Sequence, residues 1–304
     1  GEGVCVWGWG PSRPLPAVKC LACSLANNPS AVAARVGRSH PSCCGISGVK
    51  LWVILWGAQG IERLEQLAAL QKMELAYCSG LNDVFIATIG HVSTLTSLRL
   101  TKSEVVTQAG LAALTALSRL KHLDLTGCSD VSDIVFLCLS RLKCLESLVL
   151  ANCGSWSGEG IVSLTSLGNL RMLDLGYLNT PLTDVSLSGL TSGLPGLTHL
   201  DLSGAGHLTD AGFETLVHCQ NLQRLELEGC TGFGGGGMRA VSQLPHLTSL
   251  NLQECQRVEA EALRLLTALY GLRELNLLDC PGSSPEVMDE LVASLPFLSS
   301  LTAA

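Results

Sequence analysis

Three glycines in the stretch GCTGFGGGGMRA could carry nucleotide chemistry. Gly232, Gly234 and Gly237 have the spacing GxGxxG, which lets a backbone approach a dinucleotide pyrophosphate at the N-terminus of a helix. The pattern alone is a weak signal. Because the same glycines also fit the turn of a repeat described below, we predict no nucleotide site and no cofactor.

Four N-terminal side chains could hold a metal ion. Cys20, Cys23, His40 and Cys43 form CxxC followed by HxxC, a set that could provide four tetrahedral zinc ligands. The residues around them lack the apolar core that zinc modules fold around the metal. We therefore interpret residues 1–44 as a flexible leader with incidental cysteines and predict no metal site.

No nucleophile and base pair stands out in the sequence. The histidines downstream of the leader are scattered, and none lies in a triad or HExxH pattern. We therefore predict that the chain is not an enzyme and has no catalytic residues. The histidines considered are His122, His199, His207, His218 and His246.

Composition narrows the classes of partner. Of 304 residues, 47% are hydrophobic but only 4% aromatic, so aliphatic side chains must build the core. The formal net charge is −7 and there is no lysine- or arginine-rich run, which argues against nucleic acid and membrane surfaces and favours a basic partner. The longest apolar stretch, 51–56, is far shorter than the roughly 20 residues that span a bilayer. The chain begins with Gly1 and has no secretory leader, so we expect a fragment without a signal peptide.

An internal repeat predicts the strands and helices that carry the candidate residues. Its frame, LxxLxL, recurs every 25 residues, with one step of 27, and is followed in each unit by apolar residues at helical spacing. Each unit is therefore predicted to be a strand and then a helix. About ten units cover residues 45–304, including a weak first copy at Ile46 and a truncated last copy at Leu298. The complete frames begin at Leu70, Leu95, Leu120, Leu145, Leu170, Leu197, Leu222, Leu247 and Leu272.

The recurring columns resemble leucine-rich repeats. The resemblance implies an α/β fold, a right-handed leucine-rich repeat solenoid (horseshoe) with a concave parallel sheet and convex helices. A cysteine nine positions into many units, followed by Ser/Thr-Asp, resembles the cysteine-containing repeats of F-box proteins, the substrate receptors of cullin-based ubiquitin ligases. This cysteine column is Cys78, Cys128, Cys153, Cys230, Cys255 and Cys280.

The Ser/Thr-Asp pairs are expected to cap the helices. An Asp or Thr at this position can accept a hydrogen bond from the first free helical amides. Gly235 takes the place of the aspartate in its own unit, so that unit is expected to be the loosest on the helical side. The aspartates are Asp83, Asp133, Asp184 and Asp210, and all but Asp83 are preceded by Ser or Thr.

The sheet column between the second and third frame leucines predicts a binding face. Its middle is acidic, and neighbouring strands lie about 4.8 Å apart. A protein rich in Lys and Arg would complement it; the alternative is a solvated face with partial internal pairing. His199 and Arg224 are expected to relieve part of the repulsion, and Tyr177 to act as an aromatic anchor. The predicted contact residues are Asp124, Asp174, Asp201, Glu226, Glu228, His199, Arg224, Asn251 and Tyr177, with Tyr77 and Trp52 near the same face.

The resemblance implies substrate recognition in an SCF-type ubiquitin ligase pathway, with an adaptor reached through an F-box. No F-box is recognisable in residues 1–44. A cytoskeletal or ciliary scaffold without a ubiquitin role is the alternative, and an extracellular ectodomain ranks third. The inward cysteines favour a reducing, cytoplasmic location, with the nucleus as an alternative. Because the last frame stops at Ala304 without a polar closing unit, we expect missing sequence or self-association at that end.

Overall fold

A computed structural model describes residues 70–76, 83–102, 107–154, 156, 160–179 and 181–303 of the chain. The leader predicted at 1–44, its zinc spacing and the weak first repeat lie outside these ranges. So do Trp52, Tyr77 and Cys78. These predictions stay predictions.

Ten strands form one parallel sheet, and their order in the sheet is their order along the chain. The strands align on the second frame leucine, so that Leu123 lies beside Leu148 and Leu148 beside Leu173. The predicted repeat register is confirmed. The strands are β1 (Lys72–Ala76), β2 (Ser97–Thr101), β3 (His122–Asp124), β4 (Ser147–Val149), β5 (Met172–Asp174), β6 (His199–Asp201), β7 (Arg224–Glu226), β8 (Ser249–Asn251), β9 (Glu274–Leu277) and β10 (Ser300–Ala303).

A helical segment follows each of the first nine strands. Some segments are α-helical, some continue as a 3-10 turn, and the one after β4 is entirely 3-10, at Gly160–Ser166. The α/β solenoid predicted from the sequence is therefore observed. The α-helices are α1 (Asp83–Gly90), α2 (Gln108–Ala113), α3 (Asp133–Leu139), α4 (Asp184–Gly193), α5 (Asp210–Glu214), α6 (Gly235–Val241), α7 (Ala260–Arg264) and α8 (Pro285–Ser294); 3-10 turns at Leu114–Ala116, Thr215–His218 and Leu265–Ala268 extend α2, α5 and α7.

One apolar core runs between the sheet and the helices. The frame leucines form its sheet side, and side chains from the helical segments form the other side. Two aromatic pairs fill wider places: Phe136 packs edge-to-face on Trp156 with ring centroids 5.2 Å apart, and Phe213 on Phe233 at 5.0 Å. No unit could bury this apolar surface alone, so stacking stabilises all of them.

The cysteine ladder consists of the five described members of the cysteine column, Cys128, Cys153, Cys230, Cys255 and Cys280, all buried. Each Sγ donates a hydrogen bond to the carbonyl of the leucine 28 residues earlier, at 2.9 to 3.2 Å. Burial raises the pKa of the Cys153 and Cys230 thiols to about 12, so they stay protonated and able to donate. The predicted stack of inward thiols is observed, and it joins adjacent units.

Helix capping differs from the expectation in one respect. Threonines do cap their own helices: the hydroxyl of Thr209 accepts from the amide of Ala211 at 3.2 Å. Asp83, Asp184 and Asp210 instead bind the next unit. Both carboxylate oxygens of Asp184 accept from Thr209, one from its amide at 2.9 Å and one from its hydroxyl at 2.7 Å. Asp83 makes the same pair of bonds to Thr107. A carboxylate of this length reaches the following N-cap, so it ties units together.

The glycine run is capped from its neighbour. Gly234 and Gly237 each donate their amide to Oδ1 of Asp210 at 2.9 Å. The amides that a pyrophosphate would need are therefore occupied, and the expectation of an uncapped, loose unit is corrected. Gly232 has a packing role, because a Cβ there would overlap the carbonyl oxygen of Leu208.

The described part of the chain contains no helix long and apolar enough to cross a membrane. Among the same residues, no group of three or more His, Cys, Asp or Glu side chains could hold a metal ion.

Candidate protein-binding surface

The side of the sheet turned away from the helices, here called the open face, carries alternate residues of every strand. In β5, Met172 and Asp174 lie on this face while Leu173 between them is buried. The open face therefore has one central column, between the second and third frame leucines, and one flanking column, just before the second. The central column is Glu74, Arg99, Asp124, Val149, Asp174, Asp201, Glu226, Asn251 and Asn276.

Three successive carboxylates of this column form the acidic row: Asp174, Asp201 and Glu226. Asp174 is the register partner of Asp201, and Asp201 that of Glu226. Burial raises the pKa of Asp174 to about 6, and the charge of Asp201 adds to the effect. Burial also raises the pKa of Glu226, while a hydrogen bond from Asn251 acts in the opposite direction. Negative charge is thus concentrated on half-buried groups, where it is least screened by water.

The central column also closes turns, a role that sequence reasoning missed. Oδ1 of Asp174 accepts from the amide of Gly176 at 2.9 Å, and Oδ1 of Asp201 from the amide of Ser203 at 2.8 Å. This is the Asx turn that Asp and Asn favour. The recurrence of Asp and Asn at one position was the signal that could have revealed it. The same bond joins Asp124 to Thr126, Asn251 to Gln253 and Asn276 to Leu278.

Asp124 lies apart from the acidic row. Val149 separates it from Asp174, and its Oδ2 accepts from Nε of Arg99 at 2.7 Å. Arg99 also contacts Glu74 at 3.1 Å. This end of the column is therefore internally paired, as the alternative interpretation of the face expected, whereas no side chain in the described part of the chain forms an ion pair with the acidic row.

The two expected counter-charges, Arg224 and His199, act differently on the row. Nη2 of Arg224 lies 3.3 Å from Oε2 of Glu274, although its charge still lowers the pKa of Glu226. Burial and the charge of Arg224 lower the pKa of His199, which disfavours the charged form of this imidazole. Its Nδ1 lies 2.9 Å from the hydroxyl of Thr198. These surroundings therefore act against the relief expected from His199, which stays a prediction.

Tyr177 is held beside the row. It occupies a left-handed turn position, with φ of 53°, and its hydroxyl donates to Oε1 of Glu228 at 2.6 Å, two units away. The ring crosses Gly204, where a Cβ would come within 2.9 Å of Cδ1 of Tyr177. Glu228 is also 3.4 Å from Nδ2 of Asn251. The structure thus places the aromatic side chain and the fourth carboxylate next to the acidic row, with Tyr177 47% exposed.

Comparisons with known proteins agree with this architecture. A model of Zer-1-like leucine-rich repeats matches residues 111–215, and a leucine-rich repeat model matches residues 218–242 and 243–266. No curated protein sequence matches the chain.

Two solved structures are similar in fold. An internalin (inlF) from Listeria monocytogenes has a TM-score of 0.56 and 20% identity over 84% of this chain and 72% of that one. A chain of the yeast Rad7 and Elc1 complex has a TM-score of 0.58 and 18% identity over 93% of this chain and 82% of that one. With its repeat frame, its ten-stranded parallel sheet and these matches, the chain belongs to the leucine-rich repeat proteins.

Proposed function

We propose that the chain is a non-enzymatic protein-interaction solenoid that captures a basic protein on its open face. We further propose that this capture serves substrate recognition in an F-box-type (SCF) ubiquitin ligase pathway. The observation that carries the first proposal is the acidic row, three adjacent half-buried carboxylates with Glu228 and Tyr177 beside them.

The physical reason is charge complementarity. Two like charges about 4 Å apart repel by roughly 1 kcal/mol in water and by more where water is partly excluded. A lysine or arginine side chain laid over Asp174, Asp201 and Glu226 would replace that repulsion with attraction. Such complementarity fixes register and accelerates encounter, and a partly exposed tyrosine is a common anchor in protein interfaces.

The ubiquitin proposal rests on the repeat subclass. The cysteine ladder and the threonine-aspartate turns are the features by which the sequence resembles the repeats of F-box proteins. The Zer-1-like match and the fold shared with a chain of the Rad7 and Elc1 complex are compatible with a repeat domain that works inside a protein assembly. An adaptor would be contacted by an F-box outside the repeats.

We also propose an intracellular location, in the cytoplasm or the nucleus. The eight cysteines of the described residues are free thiols, most of them buried. Those of the cysteine ladder need their proton to donate to a carbonyl. Such thiols suit a reducing compartment.

The test of capture compares two variants of equal charge. In the first, Asp174→Asn, Asp201→Asn and Glu226→Gln remove the acidic row; Asn251 and Asn276 already show that asparagine closes the turn. The control, Asp130→Asn, Glu214→Gln and Asp289→Asn, removes three exposed carboxylates away from the sheet.

Immobilised chain captures partners from cell extract at 50 and 300 mM salt, and mass spectrometry identifies them. We expect the row variant to lose at least tenfold of the captured basic protein and most of the salt sensitivity, with the control unchanged. Equal capture by both variants would refute the proposal. Co-purification of a cullin adaptor with the full-length protein supports the ligase role, whereas co-sedimentation with microtubules or axonemes without it supports the scaffold alternative.

A further inference from the structure

A cavity of about 180 Å³ opens between the β5 and β6 units, which we define as residues 170–196 and 197–221. Its wall is mixed: leucine, proline and alanine side chains lie beside Asn179, two glycines and an exposed histidine. The lining includes Leu175, Leu178 and Leu182 from the β5 unit and Gly204, Ala205 and His207 from the β6 unit.

Two irregularities of the repeat coincide at this cavity. The β5 unit contains the 27-residue step, and the cysteine column is interrupted there by Leu178 and Ala205. Neither side chain can donate to a carbonyl, so the thiol bond that joins adjacent units elsewhere is missing. Asn179 meanwhile binds the preceding unit, its amide donating to the carbonyl of Cys153 at 3.1 Å. At this position the β6 unit has only the small side chain of Ala205, and the cavity lies beside it.

The cavity adjoins the acidic row. Gly204 lines the cavity and also lies under the ring of Tyr177, whose hydroxyl binds Glu228. Ser203, immediately before it, donates its amide to Asp201 of the row. The cavity, which carries leucine and alanine side chains, therefore lies beside Tyr177, and Tyr177 in turn binds Glu228.

We propose that this cavity, hereafter the anchor pocket, binds one aliphatic side chain of a protein segment whose lysine or arginine side chains lie over Asp201, Glu226 and Glu228. The inference rests on the proposed function and adds the chemistry of the recognised segment. The pocket is smaller than the roughly 300–1,000 Å³ of sites for drug-sized molecules, and it suits a single side chain of the size of leucine. The carboxylates beside it select a basic flank.

The test uses acetylated and amidated peptides of the form GRKXKRG, in which X is varied, and measures their Kd for the unmodified chain by fluorescence polarisation. Burying the additional carbons of leucine, isoleucine or methionine favours binding over X = Ala by about tenfold or more. With X = Asp we expect no gain over alanine. The matched series GQQXQQG, without positive charge, is expected to bind at least tenfold more weakly at every X.

One variant tests the pocket directly. Ala205→Leu fills it, so we expect the preference for X = Leu over X = Ala to disappear while the X = Ala peptide binds as before. Ala116→Leu, at an exposed position of the helical side, adds the same carbons elsewhere and should leave both values unchanged. Because the X series is measured on the unmodified chain, it decides the matter even if Ala205→Leu does not fold.

The outcomes separate this inference from the proposed function. Equal binding at all X, with loss of basic-partner capture in the row variant, overturns the anchor pocket and keeps the proposed function. A leucine preference that is equally strong in the uncharged series overturns the basic flank. A concentration-dependent dimer that Ala205→Leu abolishes assigns the pocket to a second copy and overturns the proposal. Absence of peptide binding at every X also overturns the anchor pocket. The capture experiment then tests the proposed function separately.

Discussion

Replacing Asp174 by asparagine should stabilise the chain at neutral pH. Its carboxylate is half-buried beside Asp201, and the pKa of about 6 in the folded chain exceeds the ordinary 3.8 of aspartate. An asparagine side chain would keep the oxygen that accepts from the amide of Gly176. The change therefore removes an unfavourable charge and preserves the turn.

The magnitude follows from linkage. A raised pKa means that the folded state holds the proton more tightly than the unfolded chain, so this group's stabilising contribution is complete below about pH 4 and is lost as the pH rises through about 6. The two pKa values differ by about 2, and each unit is worth about 1.4 kcal/mol, which gives an upper bound near 3 kcal/mol. Because Asp174 keeps part of its contact with water, screening reduces this to about 1–2 kcal/mol.

The assay is urea unfolding of the wild type and Asp174→Asn at pH 4.0, 5.0, 6.0 and 7.0. We expect the variant to gain about 1–2 kcal/mol at pH 7 and to lose that advantage between pH 6 and 4. Asp130→Asn, at an exposed position, is the control and should show no such pH dependence. A variant that is less stable than the wild type at pH 7, or a difference that does not change with pH, would refute the reasoning.

Three further perturbations test how the units are joined. Asp210→Ala leaves the two amides of the glycine run without their acceptor and should cost about 2–4 kcal/mol in the free energy of unfolding, with faster hydrogen exchange at the start of α6. Gly232→Ala drives a methyl group into the Leu208 carbonyl and should cost at least about 2 kcal/mol, whereas Gly235→Ala, with open space around its Cβ, should be neutral or slightly stabilising in thermal melts. Iodoacetamide at pH 8 should label exposed Cys144 in the native chain but none of the cysteine ladder until urea is added, because only the thiolate reacts; native labelling of the ladder would show that its thiols are not held as described.

The strand register was predictable because the leucine frame is strict. A shift of one residue in the pairing of a strand would turn all its leucines to the other face. Nine frames with the same spacing therefore allow only one alignment of the strands, and Leu148 lies beside Leu173 as expected. The inward cysteines were predictable for the same reason. Their position in the frame is fixed, and a small apolar thiol packs well in a buried column.

Contacts between units were harder to predict. The frame says which face a side chain occupies but not how far it reaches, so Asp184 was expected to cap its own helix and instead binds Thr209 of the next unit. The interruption at Leu178 and Ala205 was visible in the sequence. Whether this interruption leaves a cavity depends on how two loops pack, and the spacing of residues alone does not determine that packing. The third limit concerns pKa values. The pKa of His199 depends on its burial and on the charge of Arg224 on the neighbouring strand.

The central column offers an internal comparison that bears on function. After five of the strands a side-chain oxygen of the central column closes the turn. In β8 that oxygen comes from Asn251, which carries no charge and binds the amide of Gln253 at 3.0 Å. The negative charges of Asp174 and Asp201 therefore exceed what the turn requires, and the charge of Asp174 opposes folding at neutral pH. Charges that cost stability without serving the fold are typical of binding sites, where activity and stability conflict. The basic partner proposed above would account for these charges, and the stability gained by Asp174→Asn should then come with weaker capture of that partner.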